Sequence, residues 1–277
     1  MRAVEETKKE FLKIFNEMCY SRSAWQVWSD LISVIACSLA NAVDKREEIW
    51  AAREKEYEEC IKRLGGVEKP AKCFATITMA LEENPDQDFL GELYMTLNLG
   101  NHWKGQFFTP YHICEFMSKI TIGDETSEQI EKQGFISVND CACGAGATLI
   151  AAANTFKERG INYQRDVLFV AQDIDRIVGM MCYIQLSLLG CAGYVVIANT
   201  LTNPICGNPL FPTEKEGQEF WYMPMWSTDM WQGRILWNQI GALMESIKTE
   251  NRVEISKKQG EGHYFFFDFS KEELIDG

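Results

Sequence analysis

The segment from Phe135 to Leu201 alternates between two hydrophobic patterns, and this alternation limits the possible folds most strongly. The runs FISVN, DVLFVAQDID and GYVVIANTL favour β-strands, because they are short, apolar and mostly rich in β-branched residues. The stretches ATLIAAANTFKERG and RIVGMMCYIQLSLLG between them favour helices. This order predicts a parallel sheet with crossover helices. The uncharged stretch 177–198 is then a helix followed by a buried strand, not a membrane span.

The first hundred residues predict helices only. In AWQVWSDLISVIACSLANAV, one helical face carries Trp28, Leu31, Ile32, Ile35 and Leu39. A charged helix follows and ends at Gly65-Gly66, and a shorter helix is predicted over 71–83. We therefore predict a helical domain over 1–100 and an α/β domain over 101–277, whose C-terminal part is irregular and rich in aromatic residues.

Charge and cysteine content narrow the functional classes. The net charge of −13 argues against a chain that binds DNA alone, because an acidic surface repels phosphates, but it allows contact with DNA through a basic partner. The ten cysteines include no C-x-x-C pair, and the chain has only three histidines. This composition predicts buried free thiols, no metal site and a cytoplasmic location.

The turn DCACGAG, residues 140–146, joins the first predicted strand to the next helix. It lacks the lysine of a triphosphate-binding loop and the third glycine of G-x-G-x-x-G. Asp140 can accept hydrogen bonds from a cationic ligand, and Gly144 and Gly146 allow a ligand to approach the backbone. Asp173, at the end of the next strand, can hold ribose hydroxyls. This combination fits S-adenosylmethionine better than a dinucleotide, which requires pyrophosphate contacts.

Four motifs follow one another in the order GQFFTP, DCACGAG, AQDID and ANTL. In this order they resemble the N6-adenine DNA methyltransferases, most closely the modification subunits of type I restriction–modification systems. The resemblance covers about residues 90–201, and the helical region before it resembles that family's N-terminal domain. It implies a Rossmann-like, S-adenosylmethionine-dependent methyltransferase fold preceded by a helical domain.

The resemblance also implies roles for individual residues. Phe107 and Thr109 would line the methionine end of the cofactor, and Thr109 and Pro110 would be the N-cap and first residue of a helix. Ile174 would lie against the adenine, and Asn199 stands where the family usually has an aspartate near the adenine amino group. The implied cofactor contacts are Phe107, Thr109, Asp140, Cys143, Gly144, Gly146, Asp173, Ile174 and Asn199.

The chain departs from the family at the catalytic motif, which is Asn/Asp-Pro-Pro-Tyr/Phe. That motif accepts hydrogen bonds from the target amine and stacks an aromatic ring on the flipped base. The chain contains only NPIC (203–206) and NPLF (208–211), with no obvious strand between ANTL and NPLF. The candidate catalytic residues are therefore Asn208, Pro209 and Phe211, and a loop without a catalytic role is the competing interpretation.

Three functions remain open. The first is methylation of adenine N6 in DNA with a partner, such as a specificity subunit or a second methyltransferase subunit; the isolated chain is then expected to be poorly active or inactive. The second is a cofactor-binding regulatory or structural subunit without catalysis, which the altered motif and the acidic charge favour. The third is a nicotinamide-dependent oxidoreductase, against which GQFFTP and the incomplete glycine motif argue.

Overall fold

The computed structural model describes residues 2–20, 22–99 and 108–260. Within these residues the chain forms a helical layer, a mixed sheet and a small hairpin. The helices are α1 (Arg2–Met18), α2 (Ala24–Val43), α3 (Glu47–Leu64), α4 (Glu68–Glu83), α5 (Phe89–Thr96), α6 (Tyr111–Thr121), α7 (Thr126–Gln133), α8 (Ala147–Glu158), α9 (Tyr163–Asp166), α10 (Arg176–Leu188) and α11 (Asp229–Gly260). The strands are β1 (Ile136–Asp140), β2 (Val167–Asp173), β3 (Ala192–Ile197), β4 (Cys206–Asn208), β5 (Phe211–Thr213) and β6 (Glu219–Tyr222).

The N-terminal helices follow the predicted pattern closely. The apolar face of α2 is buried from Trp28 to Ile35, and α3 ends at Gly65, whose φ of 82° is the left-handed conformation of a helix C-cap. Helix α4 begins at Glu68, three residues before the predicted start at residue 71. Pro70 therefore lies in the first turn of α4. Backbone N–H groups of the first turn have no acceptor within the helix, so the N–H that proline lacks costs no hydrogen bond.

Helix α2 is long and apolar enough, by length and composition, to cross a membrane. However, 61% of its most apolar 18-residue stretch is buried within the protein. Helix α2 packs against α3 and α10, as the core helix of a folded domain does. The second uncharged stretch, 177–198, is divided between α10 and β3, as predicted.

The principal sheet has the order β1-β2-β3-β6. The first three strands are parallel, so the sheet is mostly parallel as predicted, and β6 runs antiparallel to β3. Asp140 pairs with Ala171, and Asp173 pairs with Ile197. The register therefore aligns the carboxyl ends of β1, β2 and β3 at one edge of the sheet, where ligands of open α/β sheets bind.

The strands differ in how they are covered. Every residue of β3 is buried, whereas β1 alternates between half-buried and exposed residues and pairs, among the described strands, with β2 alone. At the opposite edge, Arg53 Nη2 donates to the carbonyl oxygen of Phe220 in β6 at 2.9 Å. Trp221, Trp226 and Trp231 of the aromatic-rich segment are also buried, so their rings pack within the protein instead of offering faces for base stacking.

The chain divides into two compact units, residues 1–233 and 234–277. The first unit contains the N-terminal helices and the whole sheet. Helix α11 begins in the first unit and continues into the second. A domain boundary between residues 100 and 101 stays a prediction from the sequence.

The pairing of β2 with β3 depends on a glycine. Gly193 has a φ of 140°, and a Cβ atom added there would overlap the carbonyl oxygen of Phe169 in β2. We expect Gly193→Ala to reduce the free energy of unfolding by about 2 kcal/mol or more, because either the strand pair must separate or the backbone must take up strain. Denaturant unfolding measures the change. Gly233→Ala is the control, since no atom lies within 4 Å of the added methyl group; equal stabilities of the two variants would contradict the expectation.

Candidate functional site

The segment from Asp140 to Gly146 connects the end of β1 to the start of α8. Gly144 and Gly146 have φ angles of 55° and 97°, a region that favours glycine. A Cβ atom at Gly146 would lie 2.9 Å from Cys182 Sγ, so this glycine allows the loop to pack against α10. A Cβ atom at Gly144 would lie 3.5 Å from the Phe108 ring. The two glycines therefore have different tasks, since Gly146 serves packing and Gly144 keeps a side chain out of the space beside Phe108.

Asp173 fixes this loop from the neighbouring strand. Its Oδ2 accepts a hydrogen bond from the Gly144 N–H at 2.9 Å, and its Oδ1 accepts one from the Asp175 N–H at 2.8 Å. The Cys143 N–H also donates to the carbonyl oxygen of Gln172 at 3.1 Å. Burial raises the pKa of the Asp173 carboxyl, and the two backbone N–H donors oppose that shift. Each carboxylate oxygen keeps a lone pair for a further donor.

A second buried pair holds the loop from the opposite side. The fully buried Gln185 of α10 donates through Nε2 to Asp88 Oδ1 at 2.8 Å and to the Ala145 carbonyl oxygen at 2.9 Å. Its Oε1 accepts from the Leu90 N–H at 3.0 Å. Asp88 Oδ1 also accepts from the Gly91 N–H at 2.9 Å and so caps α5. Gln185 thus joins the start of α5, the middle of α10 and the glycine loop.

The loop and these side chains surround a cavity of about 180 Å³. Among the described residues, its lining contains two carboxylates, Asp88 and Asp173, and no lysine, arginine or histidine. The described lining residues are Asp88, Phe108, Thr109, Ala142, Cys143, Gly144, Ala145, Ala147, Thr148, Asp173 and Val178. An acidic lining of this kind favours a cationic ligand and opposes a phosphate.

Two larger cavities lie away from this loop. One, of about 340 Å³, is lined by Arg46, Arg53 and Arg176. Each of these arginines forms an ion pair with a carboxylate, and Arg176 bonds both Glu56 and Glu219. The other, of about 330 Å³, lies between α2 and α3. The arginines that line the first are therefore already paired with carboxylates within the protein, and no residue of the Asp140–Gly146 segment lines either cavity.

The structure brings together four of the residues assigned to the cofactor, because Thr109, Cys143, Gly144 and Asp173 all line the 180 Å³ cavity. Asp140 ends β1, and its Oδ1 accepts from the Ala142 N–H at 3.1 Å. Phe107 lies outside the described residues.

Four described residues assigned to the cofactor lie outside the lining of the cavity, namely Asp140, Gly146, Ile174 and Asn199. The Ile174 residue is 68% exposed just beyond the end of β2. Asn199 is half-buried, and its Oδ1 accepts from the Leu201 N–H at 2.9 Å, so this side chain shapes its own turn.

The predicted start of α6 is wrong by one residue. The helix begins at Tyr111, and Pro110 is its N-cap, so Thr109 is not the cap and Pro110 is not the first helical residue. Pro110 has an extended ψ of 135°, and its carbonyl oxygen accepts from the Ile113 N–H at 2.9 Å. Thr109 therefore has no capping role. Its side chain is exposed, and the residue lines the cavity.

The NPLF segment forms the turn between β4 and β5. Asn208 pairs with Phe211 across this turn, and Asn208 Oδ1 accepts from the Leu210 N–H at 2.9 Å. Leu210 is buried, and the Tyr194 hydroxyl donates to the Pro209 carbonyl oxygen at 3.0 Å. None of Asn208, Pro209 and Phe211 lines the 180 Å³ cavity. These contacts account for the turn, and a catalytic role for the segment stays a prediction.

Asp88 and Gln185 lie beside the loop but are not predicted as site residues from the sequence. Asp88 precedes a short apolar helix and carries the usual signal of an N-cap, but that signal says nothing about a ligand. Gln185 is an amide within an otherwise largely apolar helix, and such a residue needs buried hydrogen-bond partners. This second signal could have indicated a buried polar network.

Comparison with known protein families identifies the chain. A model of the N-6 DNA Methylase family matches residues 86–251, a range that contains every residue lining the 180 Å³ cavity. The chain belongs to the N-6 DNA Methylase family. This match confirms the resemblance inferred from GQFFTP and DCACGAG, and it includes Asp88 and Gln185 within the N-6 DNA Methylase region.

Among solved structures, the chain is similar to the type I restriction-modification system methyltransferase subunit from Streptococcus thermophilus. The sequences are 14% identical, the TM-score is 0.36, and the match covers 73% of this chain and 59% of that protein. The N-6 DNA Methylase chain therefore spans less than two thirds of the length of that subunit. No curated protein sequence matches the chain.

The hydrogen bond between Asp173 and Gly144 can be tested without a ligand. We expect Asp173→Ala to speed amide hydrogen exchange in Cys141–Gly146, because the Gly144 N–H loses its acceptor and the loop loses its link to β2. Mass spectrometry of the peptide that covers this loop measures the rate. Glu131→Ala removes an exposed carboxylate from α7 and should leave the rate unchanged. An unaltered loop in Asp173→Ala would refute the anchoring role.

Proposed function

We propose that the chain binds S-adenosylmethionine at the carboxyl ends of β1 and β2, within a Rossmann-like methyltransferase fold. The observation that carries this proposal is the charge of the cavity, whose described lining residues include Asp88 and Asp173 and no basic side chain. S-adenosylmethionine carries a sulfonium and an ammonium group, whereas a dinucleotide carries a pyrophosphate. Family membership supports the same cofactor.

The residues present fit this cofactor. Asp173 would accept from the ribose hydroxyls with the lone pairs that its two backbone donors leave free, and Asp140 would accept from the ammonium group. Gly144 leaves the space beside Phe108 open. The cavity is smaller than the roughly 300–1,000 Å³ of typical ligand pockets. It would therefore hold the part of the cofactor nearest the loop, and the exposed Ile174 would cover the adenine.

The reaction that we propose is methylation of adenine N6 in DNA, for which the bound cofactor supplies the methyl group. The protein must position the amine and polarise it. Asn208 would accept from that amine and Phe211 would stack on the flipped base, if the NPLF turn retains the function of the family's catalytic motif. The chain's net charge of −13 opposes direct association with DNA, so a basic specificity or second methyltransferase subunit would bring DNA to it in the cytoplasm.

A second candidate is a cofactor-binding subunit without catalysis. The observation that favours it is the NPLF turn, in which Asn208 Oδ1 is already engaged by the Leu210 N–H and Leu210 replaces the second proline. A nicotinamide-dependent oxidoreductase is disfavoured, because the described lining of the cavity contains two carboxylates and no basic side chain, which opposes a pyrophosphate.

Calorimetry with S-adenosylmethionine tests the cofactor proposal. Asp173→Ala should lower affinity by about tenfold or more, since charge-assisted hydrogen bonds contribute about 1.5–3 kcal/mol each. Gly144→Val should abolish binding, because a side chain would occupy the space beside Phe108. The Asp173→Ala effect should shrink for a 2′,3′-dideoxy analogue, which separates ribose contacts from loop movement. Unchanged affinity in both variants, with circular dichroism like that of wild type, would refute the site.

Transfer of labelled methyl to unmethylated genomic DNA tests catalysis. The isolated chain should transfer little or no methyl, because its motif is altered and its charge repels DNA most strongly at low salt. If a partner subunit restores transfer, Asn208→Ala should abolish it and leave cofactor affinity unchanged. Rapid adenine methylation by the chain alone would contradict the inactive interpretation, and activity that survives Asn208→Ala would exclude NPLF as its source.

A further inference from the structure

Asp88 is a buried acidic residue beside the glycine loop. It is 4% exposed, and it lines the 180 Å³ cavity. Among the described residues no lysine, arginine or histidine forms an ion pair with Asp88, and the Gly91 N–H and Gln185 Nε2 both donate to its Oδ1. Burial raises the pKa of this carboxyl, which reflects the cost of holding the charge there.

Capping of α5 explains an oxygen acceptor at this position but does not explain the charge. Asparagine and serine cap helices about as well as aspartate, and either could accept from the Gly91 N–H. A buried carboxylate without a cationic partner is costly, and such charges are usually paired. The open side of the cavity is where a partner cation could be supplied by a ligand.

We propose that Asp88 is the counter-charge for the positive charge of the bound ligand and makes the cavity selective for cations. The inference rests on the proposed function, since it concerns how the same cavity recognises its cofactor. Gln185 holds the carboxylate in place by bonding both Asp88 and the Ala145 carbonyl oxygen, so the charge and the glycine loop keep a fixed separation.

Three ligands with one adenosine group separate charge from shape. S-adenosylmethionine has an ammonium and a sulfonium, S-adenosylhomocysteine has the ammonium alone, and 5′-methylthioadenosine has neither. Asp88→Asn keeps an oxygen for the Gly91 N–H and for Gln185 but removes the charge. We expect it to weaken S-adenosylmethionine binding by about tenfold or more and to leave methylthioadenosine affinity unchanged. A loss for S-adenosylhomocysteine assigns the contact to the ammonium, and no loss assigns it to the sulfonium; both support the proposal.

The control is Glu82→Gln, which removes an exposed carboxylate from α4 at a position that does not line the cavity. It should leave all three affinities unchanged. Asp88→Ser repeats the test with a second capping residue. If neither Asp88 variant folds, carboxyl ¹³C NMR of the wild-type chain gives the answer, because S-adenosylmethionine should lower the pKa of Asp88 and methylthioadenosine should not.

The outcomes are distinct. Three results would overturn the role of Asp88 and leave the cofactor proposal intact. The first is an equal loss of affinity for S-adenosylmethionine and methylthioadenosine, and the second is no loss of affinity for either. The third is an Asp88 carboxyl pKa that does not depend on the charge of the ligand. A wild-type chain that binds none of the three ligands would overturn the proposed function itself.

Discussion

The hydrogen bond from the Gly144 N–H to Asp173 Oδ2 is the contact on which the site depends, because it joins the loop after β1 to the end of β2. The parallel register brings these two positions to the same edge of the sheet. Gly146 lets the loop lie against α10, and Gln185 holds the opposite side of the loop through Ala145. The cavity is thus defined by backbone positions that are fixed from two directions.

The arrangement places acidic groups together at a cost. Burial raises the pKa of both Asp88 and Asp173, and none of the described residues that line the cavity is basic. Elsewhere the fold neutralises its buried charges, as it does where Arg53 bonds Asp44 and stacks over the Trp221 ring. Local departures from such pairing are expected at functional sites. A cationic cofactor is the simplest ligand that would offset the cost of burying these two carboxylates.

Much of the fold could be predicted because its signals are local. The apolar runs predict the starts of β1, β2 and β3 within one residue, although β3 ends at Ile197, four residues before the predicted run ends, and Gly65 marks the end of α3. The family match also confirms the family that GQFFTP and DCACGAG indicate. The antiparallel pairing of β6 with β3 could not be predicted, since it joins segments separated by the β4–β5 hairpin.

The acidic lining could not be predicted either, because Asp88 is 52 residues before Asp140 in the sequence. The two segments are joined in the fold by Gln185, which donates to Asp88 and to the Ala145 carbonyl oxygen. At Thr109-Pro110 the sequence allows a helix to start at either residue, and the extended ψ of Pro110 decides the start. The NPLF segment is ambiguous for a different reason: a proline after asparagine suits both a tight turn and a catalytic loop, and the contacts of Asn208 and Leu210 account for the turn alone.

The most direct measurement is calorimetric titration of the wild-type chain with S-adenosylmethionine and, separately, with NAD. The acidic cavity predicts that S-adenosylmethionine binds and that NAD does not bind measurably at the same concentrations. Binding of NAD alone would contradict the account, because it would place a pyrophosphate in a cavity whose described lining has two carboxylates and no basic group.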